Sequence, residues 1–499
     1  MDFSEKHIRP NYGILTVLMV GAFISFLNNT LLNIALPSIM TELKVDPSTV
    51  QWLTTGFMLV NGILIPTTAF LIEKFTVRRL FLVAMGLFTI GTILSGTAHV
   101  FSILLAGRMI QASGSAIMMP LLMNVMLVSF PIEKRGTAMG VFGLILMFAP
   151  AIGPTLSGWI IEHYDWRMLF HFITPIAAVV FILGFIMLKD KKEKVFLRLD
   201  FFSLVLSTIG FGGLLYGFSS AGSLGWGSPF VYGTIIIGII SLIWFILRQS
   251  KLDVPMLNFG VYRYPMFALA SVITMAVNMA MFSGFLLLPI YVQTILGISP
   301  MDTGLMLLPG AILNAFMSPI NGRLFDKFGG RILATLGLAI TTVTTYLFSQ
   351  LTFDTSYSYL VVLHAVRMFG MSMVFMPVST NGLNQLPRNL YPHGTAVNNT
   401  LNQVSAAIGT GLLITLMSLK EKASAASLLK NFQGQPTEAQ ELQIALQAML
   451  DGINFTFFVS TFLIFLAFIL AFFMKRAKQE EDITGKNKKT GIKPTLAKN

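Results

Sequence analysis

Arg108 and Arg367 are the two basic residues that fall deep inside long apolar segments of this 499-residue chain, and they stand 259 positions apart. An arginine near the middle of a bilayer costs about 2.5–3.5 kcal/mol on insertion scales, so each is expected to face a polar cavity or a partner. Gln111 shares a helical face with Arg108, while His364 precedes Arg367 by one turn, where an imidazole beside a guanidinium is placed to hold or repel a proton. Two carboxylates, Glu73 and Asp326, close apolar segments 253 positions apart. A negative charge at a helix C-terminus is electrostatically misplaced, so each should point at neighbouring bases or at another helix's N-terminus. Other chemistries are missing. There is no Gly-x-x-x-x-Gly-Lys-Ser/Thr loop, no metal-ligand cluster, no nucleophile elbow, no cysteine, and no Asp or Glu in mid-segment. That argues against an ATP-driven pump, an intramembrane enzyme and thiol chemistry, and it implies neither metal nor cofactor.

The elements that position these residues follow from composition. With 54% hydrophobic and only 11% charged residues, the chain cannot build ordinary soluble domains. It reads as an all-α integral membrane protein of fourteen spans, each long enough for a bilayer. The net charge of +12 would suit a nucleic-acid partner, but the bases gather in alternate connections: Lys74/Arg78/Arg79, Lys134/Arg135, the 189–198 cluster, Arg323/Lys327/Arg331 and the carboxyl tail. By the positive-inside bias these connections and both termini are cytoplasmic, and no nucleic acid is expected.

Half of the chain repeats the other. Pro66, Ala69, Leu71, Glu73, Lys74 and Phe75 align with Pro319, Gly322, Leu324, Asp326, Lys327 and Phe328 at one offset, and Gly136-Thr137-Ala138 recurs as Gly394-Thr395-Ala396. Three ordered pairs with nearly equal offsets imply an internal duplication. The expected plan is a six-helix bundle over 1–199, an inserted hairpin over 200–250, a second six-helix bundle over 251–474 and a basic tail over 475–499. Two such halves joined by a cytoplasmic connection suit a transporter that rocks about a midplane site. Residues 420–451 read as one long external loop containing a short helix that begins near Pro436 and lies on the outer surface.

The repeat makes a specific forecast for the carboxylates. Glu73 should meet Gly394-Thr395 and Asp326 should meet Gly136-Thr137, each across the seam between halves and only when the cytoplasmic side is shut. In span 5, Gly140, Gly143, Gly153, Pro154 and Gly158 place small residues and bends on one face, which suits a moving helix interface. Asn28, Asn33, Asn61, Asn124, Asn278 and Asn314 are amides in apolar helices that need partners, and with Met119 they are expected to line a central cavity.

These residues resemble the major facilitator superfamily, and within it the fourteen-helix drug:proton antiporters. Residues Gly322 to Arg331 and Ala69 to Arg79 look like the superfamily's cytoplasmic loop motif, Leu104 to Ala116 like its span-4 arginine motif, and Ala149 to Gly158 like the antiporter motif. Asp165-Trp166-Arg167 and Pro392-His393-Gly394-Thr395-Ala396 resemble signatures of this branch. Leu27 to Pro37 matches its span-1 motif with Asn28 where many members have aspartate, as in the lincomycin-resistance exporters of Gram-positive bacteria. The resemblance implies a plasma-membrane exporter of small amphipathic drugs, exchanging them for protons as a monomer. Arg108, Gln111, His364 and Arg367 would lie in the proton pathway. Glu73, Arg78, Asp326 and Arg331, with Gly136 and Gly394, would latch the cytoplasmic side, and Gly153, Pro154 and Gly158 would form the moving seam. Two alternatives stay open: a facilitator or importer of a metabolite, and a non-transporting membrane sensor or scaffold.

Overall fold

A computed structural model describes residues 12–45, 47–189, 200–430 and 437–476; the first residues, the 190–199 cluster and the tail beyond 476 lie outside it. The described residues form fourteen long helices and no strand. They are α1 (Tyr12–Leu43), α2 (Trp52–Lys74), α3 (Val77–Gly96), α4 (Phe101–Ser129), α5 (Ile132–His163), α6 (Met168–Met187), α7 (Phe201–Leu224) and α8 (Pro229–Gln249). The remaining six are α9 (Pro265–Ile295), α10 (Pro300–Phe328), α11 (Gly330–Phe348), α12 (Tyr357–Leu383), α13 (Tyr391–Lys430) and α14 (Glu438–Ala471). Without water in a bilayer the backbone must bond within its own segment, which is why apolar runs of this length become helices.

The breaks in these helices fall at proline. A 3-10 turn at Ile65–Thr67, centred on Pro66, interrupts α2, and α9 ends in a π-helical turn, Tyr291–Ile295, two residues after Pro289. Helix α12 is interrupted at Met373–Val374, ahead of Pro377. In each case the ring removes one ladder hydrogen bond and crowds the preceding turn.

The duplication is visible in the packing. A Cβ on Gly370 of α12 would meet the Gly337 carbonyl of α11 at 2.9 Å, and within one turn of the matching place Gly114 of α4 lies against the Ala84 carbonyl of α3. The halves part ways at one turn: Gly329 joins α10 to α11 at φ +82°, whereas its counterpart Thr76 is extended and its hydroxyl caps α3 by accepting from Arg79 N–H. A side chain that cannot take the left-handed turn thus caps the next helix instead.

The α7–α8 hairpin is a wedge. At its base Arg248 grips Asp200 through Nε at 2.6 Å and Nη2 at 3.1 Å, and those bonds hold the Asp200 carboxyl down at about 2 against the opposing effect of burial. Toward its other end α7 packs on both halves at once. Tyr216 stacks on Trp52 of α2 at 5.8 Å and Leu215 fills the space above Gly62. On the far side a Cβ on Gly411 of α13 would lie 2.5 Å from the Phe218 carbonyl, and Trp226 Nε1–H donates to Thr415.

The face opposite Glu73 and Asp326 is pinned by the Asp165-Trp166-Arg167 segment. Arg167 reaches Glu42 at 2.6 Å, Asp165 at 2.7 Å and the Ala98 carbonyl at 3.0 Å, while Trp166 Nε1 donates to Glu42. Burial works against the Arg167 charge, yet the two carboxylates raise its pKa above the ordinary arginine value. The expected external loop is corrected here. Helix α13 continues to Lys430 and α14 starts at Glu438 on a Thr437–Gln440 capping box, so helical extensions replace the loop and the flat-lying helix. At 1.5 Å per residue the two helices are roughly 60 and 50 Å long, well beyond a hydrocarbon core of about 30 Å. Within them Asp451 accepts from Ser424 and, at 2.9 Å, from Gln447.

Candidate functional site

Arg108 is fully buried eight residues into α4. Its guanidinium donates to Gln111 Oε1 at 3.0 Å and to Asn29 Oδ1 of α1 at 3.1 Å, and it lies 4.3 Å from the Phe57 ring of α2. Gln111 is itself held, because Asn28 Nδ2 donates to its Oε1 at 3.2 Å and its Nε2 donates to Thr92 of α3 at 2.7 Å. Four helices therefore converge on one cation through amides and a ring, and Arg108 Nε is left without a bond among the described residues.

The second half repeats the theme with different parts. Arg367 of α12 donates to the Ala280 carbonyl of α9 at 3.2 Å and stands 5.9 Å from the Phe348 ring. His364 is buried beside it in the space that Gly310 of α10 leaves open. The forecast amides are buried as well. Asn278 bonds the Thr274 carbonyl and Asn402, Asn314 donates to Met368 Sδ at 3.7 Å, and Asn61 turns back to the Phe57 carbonyl. Asn124 is buried with its Oδ1 unbonded among the described residues, and Met119 is half-buried. The side chains of Asn33 and Pro154 lie outside the described residues.

Two seams join the halves on the face that carries Glu73 and Asp326. At the first, α5 lies on α10 with almost no side chain between them. A Cβ on Gly136 or Gly140 would come within 2.6 Å of the Gly322 or Ser318 carbonyl, respectively. That closeness brings Asp326 onto the start of α5, where Oδ1 accepts from Gly136 N–H at 2.7 Å and Oδ2 from Thr137 N–H at 2.8 Å and its hydroxyl at 2.6 Å. The carboxylate that closes α10 thus accepts three hydrogen bonds from the second turn of α5, each strengthened by its charge. Arg476 completes the arrangement from the other end, donating to the Asp326 carbonyl at 2.6 Å.

At the second seam Glu73 reaches the start of α13 at His393, the residue beside Gly394. A Cβ on Gly394 would meet Leu383 and Leu386, and His393 Nε2 stands 3.0 Å from Glu73 Oε1. His393 Nδ1 accepts from Asn258 N–H at 3.2 Å, which leaves the hydrogen on Nε2 for the carboxylate. Arg135 was missed by sequence reasoning. It is buried over the Tyr391 ring at 4.9 Å and donates to Asn384 at 3.1 Å, so a base that reads as solvated loop charge crosses between halves. The only signal was its position beside Gly136.

Four residues depart from their expected places. Arg78 turns away from both seams to the Phe185 carbonyl and ring of α6, and Arg331 is exposed with no side-chain bond among the described residues. Gly153 packs against Thr30 of α1 inside its own half, and nothing lies within 4 Å of a Cβ on Gly158. The glycines at the seam are Gly136, Gly140 and Gly143, because α5 faces α10 with its first turns and α1 with its later ones. Among the described residues no cluster of His, Asp or Glu has the makings of a metal site.

The Major Facilitator Superfamily matches residues 18–410 of the chain. An MFS-type transporter of Bacillus subtilis (strain 168), YhcA, is 52% identical over 83% of this chain and 78% of its own length. The lincomycin resistance protein LmrB of the same organism is 43% identical over 93% of this chain and 96% of its own. Among solved structures, the human organic anion transporter MFSD10 superposes with a TM-score of 0.64 over 94% of this chain and all of that one, at 14% identity, a likeness of fold.

Proposed function

Because the chain belongs to the Major Facilitator Superfamily and is a multi-pass membrane transporter, we propose that it exports amphipathic drugs or antibiotics across the plasma membrane in exchange for protons, by alternating access. The observation that carries the reading is the pair of seams. Carboxylate contacts cross between the halves on one face only as long as that face is shut, so they bias the molecule toward opening on the other. The face with the seams is also the one rich in Lys and Arg, which supports placing it, and both termini, in the cytoplasm. The lincomycin resistance protein supports the class of cargo.

In this reading Arg108 with Gln111, and His364 with Arg367, lie along the proton pathway. The amides Asn28, Asn61 and Asn278 line the cargo's route when the halves part. Neutralising Asp326 removes the charge that holds two backbone N–H groups, so a proton arriving there loosens the seam. The test is efflux from proteoliposomes with an imposed pH gradient. Lincomycin should move against its own gradient with a counterflow of protons, and Arg108→Ala should stop that movement while leaving the protein folded. Lincomycin movement indifferent to the proton gradient, or full activity in Arg108→Ala, overturns the reading.

A further inference from the structure

We propose that the route through this protein selects by charge, taking neutral and anionic amphiphiles and rejecting permanent cations. The inference rests on the exporter reading for what is carried and adds which members of that class are accepted. Among the described residues the buried basic side chains are Arg108, Arg135, His364, Arg367 and His393, and no Asp or Glu is buried. Every described acid sits near a helix end, in a connection or in the extensions of α13 and α14. The membrane core is therefore positively charged and has no carboxylate to offset that charge.

The geometry places this charge beside the surfaces that face across the molecule. Arg108 is bonded to Gln111 and Asn29, so its nearest polar neighbours are amides. Arg367 bonds the Ala280 carbonyl, two residues along α9 from Asn278, whose Nδ2 donates to Asn402 of α13 at 3.0 Å. One turn earlier on α13, the half-buried Asn399 reaches Met123 Sδ of α4 at 3.6 Å, in the other half. In the first half Asn28 donates to the same Gln111 Oε1 that accepts from Arg108, so each arginine lies one amide or two residues from a side chain assigned to the route. Amides bond neutral polar groups of either sense, whereas the sign of the field is set by the guanidinium groups. At an effective dielectric constant of about 20, a unit charge roughly 10 Å from one arginine changes its affinity about tenfold or more, in opposite directions for a cation and an anion.

The test uses three dansyl amphiphiles with the same alkyl chain, ending in a sulfonate, a hydroxyl or a trimethylammonium group. Binding to the purified full-length protein is read by dansyl fluorescence, and movement is read in proteoliposomes. The sulfonate and the hydroxyl should each bind at least tenfold more tightly than the trimethylammonium compound. A second arm uses Asn402→Asp, which keeps an acceptor for Asn278 Nδ2 and adds the missing charge. It should raise the trimethylammonium affinity at least tenfold. Equal or tighter binding of the cation by the unaltered protein, binding of none of the three, or no response to Asn402→Asp would overturn the proposal. A protein that binds in the expected order but moves none of the compounds sinks the exporter reading instead. One that moves all three equally sinks the charge selection and leaves export standing.

Discussion

The two seams occupy matching positions in the duplicated halves and are built from different chemistry. At α5/α10 a carboxylate accepts from two backbone N–H groups and a hydroxyl, with glycine backbones in contact beside it. At α2/α13 the carboxylate meets an imidazole whose other nitrogen is held by a linker N–H. The first contact has no titratable donor, so only its acid can switch it. The second has two titratable partners and no close glycine contact at Gly394. Two copies of one design can therefore respond differently to the same proton.

The comparison can be broken by substitutions, and the largest effect is expected at Gly140→Leu. A side chain there is driven into the Ser318 carbonyl, so the α5/α10 seam should fail to close and efflux should fall below about a tenth, with overpacking of roughly 1–3 kcal/mol or more. Size-exclusion profiles should stay monodisperse; an active Gly140→Leu protein would mean that the seam never needs to close. Asp326→Asn comes next. It removes the charge from an acceptor of three hydrogen bonds, worth about 1–2 kcal/mol, and should shift the balance of states about tenfold toward opening at this face. Labelling of single cysteines placed behind the seam reads the shift, since the chain has none of its own.

Glu73→Gln should do less. A glutamine Oε1 still accepts from His393 Nε2, so at this contact the charge assistance is lost, about 0.5–1 kcal/mol and a few-fold in labelling. If it costs as much as Asp326→Asn, the two seams are equivalent and the contrast is wrong. The smallest effect belongs to the hairpin. Asp200→Asn should lower stability by a few tenths to about 1 kcal/mol, a modest value because the pair is partly solvated. With the folded carboxyl at about 2, below its ordinary value of 3.8, the clasp contributes fully above pH 3.8 and is lost as pH falls through about 2. The difference between wild type and Asp200→Asn in thermal melts should thus be constant from pH 7 to pH 5.

The Asp326 contact was legible in the sequence because a repeat with nearly constant offset relates one helix end to the start of another helix. The same argument brings Glu73 to the start of α13 but does not single out His393, whose imidazole is held by Asn258 in the connection between α8 and α9. The extended ends of α13 and α14 were hidden by hydropathy, which reads Lys420 to Lys430 as loop. Its Ala, Lys, Glu and Leu are strong helix formers, and propensity was the better guide there. Arg135 could not be told from its solvated neighbour Lys134, since burial depends on Tyr391 and Asn384, some 250 positions away.

The α7 wedge makes the molecule behave like a bound book. Where Tyr216, Leu215, Phe218 and Trp226 lock onto α2 and α13, the two covers share a spine and cannot spread far, while α5 and α10 form the fore-edge.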